Sequence, residues 1–303
     1  MREERRKRRK RQQIITLVVC ALAVAALIWG IATVVRKLTN YGNRSIASSQ
    51  SDIQEDQPTD TSTADQTVED RFAGVARNSY DAAGFYKEDG FLRYGDGTLG
   101  SEVGVDISSH QQSVDWEAVK AAGVDFAILR AGYRGYTEGA IQEDETFLTN
   151  LAAAKAAGLK VGVYFFSQAL DKAEAVEEAE FVLNLLDGAE LDYPIFFDWE
   201  DIEAEARTDG MDSVTLTACA VAFCKRVELN GYRAGVYFNQ RLGVEEFDLR
   251  YLQDYELWLA EYALSPSFPY HFDVWQYAND GMLSGVDGPV DLNLAFVESR
   301  TAE

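Results

Sequence analysis

Residues 160–200 read KVGVYFFSQALDKAEAVEEAEFVLNLLDGAELDYPIFFDWE, and this stretch decides the fold class. Its apolar ends, 160–166 and 194–198, are short and rich in Val, Ile and Phe, as buried strands are. The segment between them, 171–186, has helical periodicity and begins with Asp, a residue that caps helix N-termini. Strand, helix and strand in this order predict a βαβ unit, in which the two strands lie parallel in one sheet.

The same alternation continues on both sides of this unit. It predicts further strand and helix pairs at Val103–Ile107 with Trp116–Ala122, Phe126–Arg130 with Asp144–Ala157, and a helix at Ser213–Asn230 before a strand at Arg233–Phe238. Three strands without helices between them follow at Glu256–Ala260, Phe272–Gln276 and around Val290–Leu292. We therefore expect an α/β fold, a TIM-like β/α barrel with reduced helices, about (β/α)5 followed by three strands. A doubly wound open sheet is the alternative, although no glycine-rich phosphate loop supports a nucleotide-binding version of it.

The N-terminal region has a different character. Residues 1–13 contain eight Lys or Arg and two Glu, and the next 22 residues, 14–35, carry no charge. About 20 apolar residues span the core of a bilayer, and the excess of positive charge before the run predicts a cytoplasmic N-terminus. A cleaved signal peptide is the alternative, but its apolar region is usually about 7–15 residues long.

These patterns divide the chain into five segments. We expect a cytoplasmic basic tail at 1–13, a transmembrane helix at 14–35, a flexible extracytoplasmic linker at 36–71, an accessory hairpin and entry segment at 72–102, and the barrel at 103–303. The linker is rich in Ser, Thr, Asp and Gln and has too few apolar residues to fold. The hairpin is indicated by Asp89-Gly90 between alternating apolar residues. The chain would thus be a single-pass protein of the cell membrane with its barrel outside.

Charge and the few Cys and His residues narrow the classes of function. From Ser45 onward the chain has 17 basic and 48 acidic residues, a net charge of −31. Nucleic-acid binding depends on neutralising phosphates, so we expect no nucleic-acid partner. Cys20 lies in the apolar run, and Cys219 and Cys224 lie five apart on a predicted helix, which argues against a disulfide framework. With two histidines and no paired ligand motif, we expect no metal and no cofactor.

Acidic and aromatic residues gather where the predicted strands end, the edge at which β/α barrels carry their catalytic residues. The first strand carries Asp106, the fourth ends at Asp198 with Glu200 after it, and the last carries Asp291 and Asn293. The other strand ends supply Tyr164, Phe166, Tyr237, Trp258, Trp275 and Gln276. Carboxylates for proton transfer and flat rings for the apolar faces of sugars are typical of a glycan site.

Asp198 and Glu200 form the strongest pair. Side chains at i and i+2 of a strand share a face, with about 6.6 Å between their backbones. Like charges this close disfavour joint ionisation, so one carboxyl should stay protonated near neutral pH, as the acid of a glycosidase must. The competing interpretation is a helix cap followed by a solvated Glu.

Several other residues also admit a purely structural interpretation. Asp106 suits a turn cap, and Trp258 and Trp275 suit an ordinary core. A group of helix glutamates predicts a solvated helix face: Glu174, Glu177, Glu178 and Glu180.

Eight motifs occur in order between Val103 and Phe296. They are GVDISSHQ at 104–111, DW at 115–116, RAGY at 130–133, GVYFF at 162–166, DWE at 198–200, WLAEY at 258–262, WQY at 275–277 and GVDGPVDLN at 285–293. With these motifs the sequence resembles glycoside hydrolase family 25, the Chalaropsis-type lysozymes or N-acetylmuramidases. One departure is Phe165-Phe166, where many relatives have a His-Phe pair after the tyrosine.

The resemblance implies a barrel with fewer helices than strands that hydrolyses the β-1,4 bond between N-acetylmuramic acid and N-acetylglucosamine in peptidoglycan. It implies that Glu200 is the general acid and that Asp198 steadies the substrate's acetamido group or the developing charge. Asp106 and Asp291 would be the flanking carboxylates. The implied glycan contacts are Tyr133, Tyr164, Phe166, Tyr237, Trp258, Tyr262, Trp275 and Gln276.

Two other functions compete with this one. A membrane-tethered receptor would bind peptidoglycan without cutting it, but it would not need both Asp198 and Glu200. A chitinase-like enzyme usually has more than one Asp before the Glu of its acidic motif. We therefore predict a lysozyme acting in cell-wall remodelling or lysis.

Overall fold

The computed structural model describes residues 72–299, which belong to one compact unit, Ser62–Glu303. The predicted basic tail, transmembrane helix and linker lie outside the described residues. Within 72–299, no helix is both long and apolar enough to cross a bilayer. The strands are β1 Phe85–Glu88, β2 Phe91–Tyr94, β3 Leu99–Ile107, β4 Phe126–Arg134, β5 Ile141–Glu143, β6 Lys160–Phe166, β7 Ile195–Asp198, β8 Ala234–Asn239, β9 Glu256–Ala260, β10 Val274–Met282 and β11 Pro289–Glu298. The α-helices are α1 Trp116–Ala121, α2 Phe147–Ala156, α3 Lys172–Leu186 and α4 Ser213–Glu228.

Eight of these strands close into a barrel. Their hydrogen-bonded order is β3-β11-β10-β9-β8-β7-β6-β4, and pairing of β3 with β4 completes the ring. The predicted barrel is confirmed, and the open sheet is excluded. Because the eight strands form a ring, one end of each strand lies at the same mouth of the barrel.

The last barrel strand runs in the opposite direction to the other seven. β11 pairs antiparallel with both of its neighbours, β10 and β3. Only residues 283–288 connect β10 to β11, and a parallel crossover needs a dozen residues or more. A hairpin is therefore the connection that this length permits. β5 also pairs antiparallel, with β4, and it lies at the edge of the sheet, outside the ring.

The helical layer is thinner than the expected five βα units. Among the described residues, four α-helices cover the barrel, and the stretch after β8 forms only a π-helical turn at Leu242–Glu246 and a 3-10 turn at Leu249–Tyr251. Gly243 lets the first turn lie on the ring of Phe238, since a Cβ at this position would sit 2.7 Å from that ring. The shorter helical stretch expected after the fifth predicted strand is thus present as two single turns and not as an α-helix.

Two hydrophobic layers result from the alternation of side chains along the strands. Phe196 and Trp258 belong to the core inside the barrel, while Ile195 and Phe197 pack in the layer between barrel and helices. This is the alternation that the IFFDWE segment predicts. It turns Asp198 inward at the mouth, directly above the ring of Phe196.

The predicted hairpin is present and covers the outer face of the barrel. β1 and β2 pair antiparallel, and both turn residues, Asp89 and Gly90, have left-handed φ angles of 51° and 89°. Such a turn matches the twist of the flanking strands. The ring of Phe85 packs edge-on against Trp275, with 5.4 Å between centroids. The hairpin therefore buries apolar surface of β10.

Candidate active site

A cavity of about 590 Å³ opens at the C-terminal mouth of the barrel. Of the residues predicted for the site, it is lined by Asp106, Tyr133, Tyr164, Phe166, Asp198, Glu200, Tyr237, Trp258, Tyr262, Gln276 and Asp291. Its wall also includes residues that the sequence analysis did not select: Ser108, Ser109, His110, Gln111, Arg130, Arg134, Tyr136 and Ile202. The structure thus brings all four predicted carboxylates to one cleft.

Trp275 does not reach this cleft, so the contact with glycan expected of it does not fit the structure. Its side chain is fully buried outside the barrel, and its indole Nε1 donates to the carbonyl of Glu261 at 2.8 Å. Neighbouring residues on a strand point to opposite faces, so Trp275 and Gln276 cannot both face the cleft. The structural interpretation is the correct one for this tryptophan.

Asp106 and Asp291 lie opposite each other on the antiparallel strands β3 and β11. Asp106 is buried, and burial together with the charge of Asp291 raises the pKa of its carboxyl well above the usual value. Burial also raises the pKa of Asp291. Two carboxyls in this arrangement share protons more readily than they ionise together.

Two amides hold the carboxyl of Asp106. Gln276 Nε2 and Asn293 Nδ2 each donate to Asp106 Oδ2 at 2.8 Å. The amides are oriented in turn, because the indole of Trp258 donates to Asn293 Oδ1 at 2.9 Å and the hydroxyl of Tyr237 donates to Gln276 Oε1 at 3.1 Å. Gln276 was expected to bind glycan, but both its Nε2 and its Oε1 form hydrogen bonds within the protein.

Asn293 was named at this end of the barrel from the sequence, but no role in the site was assigned to it. It is fully buried and lies two residues after Asp291 on β11. The alternation along a strand puts it on the same face as Asp291, and this signal could have identified it. Because Asn293 Oδ1 accepts the indole N–H of Trp258, the orientation of its amide is fixed. The group that faces Asp106 is therefore the NH₂, which can only donate.

Asp198 and Glu200 differ in their surroundings. Asp198 ends β7 and is buried, and its Oδ1 has no hydrogen-bond partner among the described residues. Burial, followed by the charges of Glu200 and Asp106, raises its pKa well above the usual value. Glu200 lies two residues further, is partly exposed, and has its pKa raised by burial and then by the charge of Asp291. The pair therefore combines a carboxyl group that keeps its proton with a carboxyl oxygen, Asp198 Oδ1, that is free to accept a hydrogen bond.

Arg130 brings a positive charge to this acidic cleft. Its Nε donates to Asp144 Oδ2 at 2.8 Å, its Nη2 donates to Ser109 Oγ at 3.1 Å, and its guanidinium lies 5.4 Å from the ring centre of Tyr133. Asp144 Oδ2 also accepts the backbone N–H of Ser109 at 2.9 Å. This set fixes the turn after β3 against β4. The sequence signal for it was Arg130 itself, which opens the RAGY motif.

Aromatic rings form the floor of the cleft. The ring of Trp258 contacts Tyr237 and Tyr164 edge-on, with centroid distances of 4.7 Å and 6.0 Å. Burial raises the pKa of both tyrosines well above the usual value, so their hydroxyls stay neutral donors. A protonated carboxyl, a free carboxyl oxygen and a floor of rings can bind a sugar and protonate a glycosidic oxygen.

Residues 105–286 match the sequence profile of the family "Glycosyl hydrolases family 25". The autolytic lysozyme of Clostridium acetobutylicum is 30% identical over 191 residues, which are 63% of this chain and 54% of that protein. Lysozyme M1 of Streptomyces globisporus is 27% identical over 203 residues, 63% of this chain and 66% of that protein. The chain thus spans about half to two thirds of the length of these curated relatives.

Solved structures give the same picture. The modular autolysin LytC from Streptococcus pneumoniae superposes with a TM-score of 0.56 at 25% identity, covering 70% of this chain and 52% of that chain. The spore cortex lytic enzyme SleM from Clostridium perfringens superposes with a TM-score of 0.54 at 25% identity, covering 64% and 67%. The similarity therefore extends to the three-dimensional fold over about two thirds of this chain.

Proposed function

The chain belongs to family 25 of the glycosyl hydrolases, and from that premise we propose that it is an N-acetylmuramidase of the Chalaropsis type. It hydrolyses the β-1,4 bond between N-acetylmuramic acid and N-acetylglucosamine in peptidoglycan. The observation that carries this proposal is the convergence of four carboxyls and an aromatic floor on one cleft at the barrel mouth. Relatives named lysozymes support the choice of substrate.

Glu200 is the proton donor in this mechanism. Burial and the charge of Asp291 favour its protonated form. Its partly exposed position at the cleft lets it reach the oxygen of a bound glycosidic bond. Protonation of that oxygen releases the N-acetylglucosamine side with a free 4-hydroxyl. Water then supplies the hydroxyl at C1 of muramic acid, and the last proton returns to the carboxyl cluster.

Asp198 faces the positive charge that develops at C1. Its unpartnered Oδ1 is available to accept the N–H of the acetamido group or to stabilise the oxocarbenium-like carbon. Asp106 and Asp291 are the flanking pair that keeps the field at the cleft negative. Removal of either flanking carboxyl should weaken catalysis less than removal of Glu200.

Localisation at the cell membrane is part of the same proposal. The uncharged run at 14–35 and the basic residues before it support a single-pass anchor with the barrel on the wall side. We expect the full chain to resist alkaline carbonate extraction and to dissolve in detergent. We also expect protease added outside intact cells to remove the barrel. Release by carbonate alone would refute the anchor without affecting the proposed chemistry.

Analysis of the products tests the activity. The full chain, purified in mild detergent, is incubated with purified peptidoglycan, and the new reducing ends are reduced with borohydride and identified. Reduced muramic acid is the expected product, and chitin should remain uncut. Reduced glucosamine would instead indicate cleavage of the other glycosidic bond. Binding to the wall without any new ends would favour a non-catalytic receptor.

A further inference from the structure

One wall of the cleft consists of two segments that are distant in sequence. The first is the loop 135–140 between β4 and β5, and the second is the segment 201–212 between β7 and α4. Tyr136 from the first and Ile202 from the second both line the cavity. The second segment starts directly after Glu200, and residues 201–206 have no helix or strand among them. Its shape must therefore come from its anchors.

Arg207 joins these two segments to a third element. Its backbone N–H donates to the carbonyl of Tyr136 at 2.7 Å, and its Nη2 donates to Glu174 Oε1 on α3 at 2.7 Å. Its guanidinium lies flat against Gly139, where an added Cβ would sit 2.4 Å from Nη1. Gly139 has a φ of +71°, which also favours glycine at this position. The loop, the segment and the helix thus meet at one side chain.

The loop is in turn fixed from below by buried charges. Arg134 Nη1 donates to the carbonyl of Gly139 at 2.8 Å, and its Nε donates to Glu178 Oε1 at 2.7 Å. Glu178 is fully buried and accepts the hydroxyl of Ser167 at 2.6 Å. The loop 135–140, which Arg207 contacts, is therefore held in place by buried hydrogen bonds.

Next to Arg207, a second contact holds the segment. The hydroxyl of Thr208 donates to Gln168 Oε1 at 2.8 Å, and both side chains are buried. Arg207 and Thr208 are consecutive, so this contact and the Arg207 contacts act at one point of the segment. Ile202, which lines the cavity, lies in the stretch between Glu200 and that point.

We propose that Arg207 is a positioning residue that clamps the segment 201–208 against the loop 135–140 and so keeps the glycan cleft preformed beside Glu200. This inference rests on the proposed function, because the cleft is taken to bind peptidoglycan. A segment that must be ordered on binding costs affinity, whereas an ordered one does not. Loss of the clamp should therefore raise KM much more than it lowers kcat.

A matched pair of variants tests the clamp in the full chain. Arg207→Met keeps the aliphatic part of the side chain but removes the guanidinium group and its hydrogen-bond donors. The control is Arg226→Met, because Arg226 Nη1 also donates at 2.7 Å to a glutamate of α3, Glu180, but this bond holds neither of the two segments of the cleft wall. We expect Arg207→Met to raise KM for peptidoglycan about 5- to 20-fold with kcat within about twofold. Arg226→Met should leave both unchanged.

Further variants separate positioning from general folding. Gly139→Ala displaces the guanidinium without changing any charge, so it should raise KM in the same way. Arg207→Lys keeps the charge toward Glu174 but not the guanidinium group, so it should give an intermediate KM. If Arg207→Met lowers the melting temperature so far that little folded protein remains, these two variants decide.

The outcomes distinguish the clamp from the proposed function. A fall in kcat at unchanged KM, or an equal rise of KM in the Arg226 control, would overturn the clamp while leaving the activity in place. If the wild-type chain cuts no peptidoglycan, the proposed function fails, and sedimentation with insoluble peptidoglycan decides about the clamp. Weaker binding by Arg207→Met than by wild type supports it, and equal binding overturns it.

Discussion

Two neighbouring regions bury carboxyl groups in opposite ways. At the barrel mouth, Asp106 and Asp198 are 6% and 4% exposed, and the charged groups that raise their pKa values are other carboxylates. Beside it, Glu178 is 0% exposed but lies 2.7 Å from the Nε of Arg134. At the mouth, burial and the neighbouring carboxylates raise the pKa of Asp198, and the charge of Arg130 offsets only part of this rise. At Glu178, burial raises the pKa to about 7, and the hydrogen bonds from Ser167 and Arg134 act in the opposite direction.

The difference shows which region stores free energy for chemistry. A buried charge with a partner is compensated, and it destabilises the fold mainly when the partner is removed. The carboxyls at the mouth face mainly one another, because the Nε of Arg130 is already bonded to Asp144, so the cluster favours states in which some carboxyls keep their protons. We therefore expect the carboxyls at the mouth, where catalysis is proposed, to lower the stability of the fold, and the Arg134–Glu178 pair to support the cleft wall.

The largest effect should follow from Glu200→Gln. This change removes the proposed proton donor but keeps the size of the side chain, so kcat on peptidoglycan should fall about 10²- to 10⁴-fold. The melting temperature should not fall. Glu203→Gln is the matched control, since Glu203 is exposed and does not line the cleft. Near-normal turnover by the Glu200 variant would remove this residue from the proposed role.

The next effect concerns stability in the paired region. Glu178→Gln leaves the charge of Arg134 buried and only partly compensated, which should cost about 3 kcal/mol in the free energy of unfolding. Glu180→Gln is the control, because the Glu180–Arg226 pair is exposed and such pairs contribute about 0–1 kcal/mol. Denaturant unfolding of the three proteins measures the difference. Equal stabilities would show that the buried pair does not support the fold.

At the barrel mouth, we expect removal of a buried carboxyl to raise the free energy of unfolding. The pKa of Asp106 is raised in the folded chain, so its stabilising contribution is complete below the unfolded pKa of about 3.9 and is lost as pH rises. Asp106→Asn does not take up this proton and can still accept from Gln276 and Asn293. It should gain about 1–2 kcal/mol at pH 7 and little at pH 4, while turnover falls. A variant that is less stable than wild type at pH 7 would contradict the assignment of strain to the mouth.

The smallest effect is a shift in the pH profile. The proton donor must be protonated, so activity should be lost as pH rises through the raised pKa of Glu200. The charge of Asp291 contributes to that rise, and Asp291→Asn should therefore move the alkaline limb of kcat to lower pH. The residual activity of the variant suffices for this measurement. An unchanged or more alkaline limb would show that Asp291 does not set the pKa of Glu200.

Much of the barrel could be predicted because it depends on local patterns. The bounds of β6 and β9 agree with the prediction, and the alternation of Phe196 and Phe197 gave the inward face of Asp198 correctly. The direction of β11 was not predicted, because apolar runs do not encode whether a strand runs parallel or antiparallel. The predicted bounds left residues 277–289 as the connection, long enough for a parallel crossover, and only the extension of β10 to Met282 shortens it to a hairpin.

The errors at the site arise from contacts between distant residues. Glu178 was expected on a solvated helix face, but Arg134 from β4 reaches it and makes its burial tolerable. The expectation is therefore wrong for Glu178, and nothing in the helix pattern reveals the arginine. Trp275 was selected for its residue type, although its neighbour Gln276 already occupies the inward face. Arg207 lies in a segment without periodicity, so only the folded chain identifies its partners.

The most direct test of the account is the pKa of Glu200 itself. In the full chain labelled with ¹³C at the glutamate side-chain carboxyl, the signal missing from Glu200→Gln identifies this residue, and its chemical shift is followed against pH. We expect a titration above the ordinary glutamate pKa of 4.5 that moves downward in Asp291→Asn. A titration at or below 4.5 in the wild-type chain would contradict the claim that burial and clustered carboxyls keep the proton on Glu200.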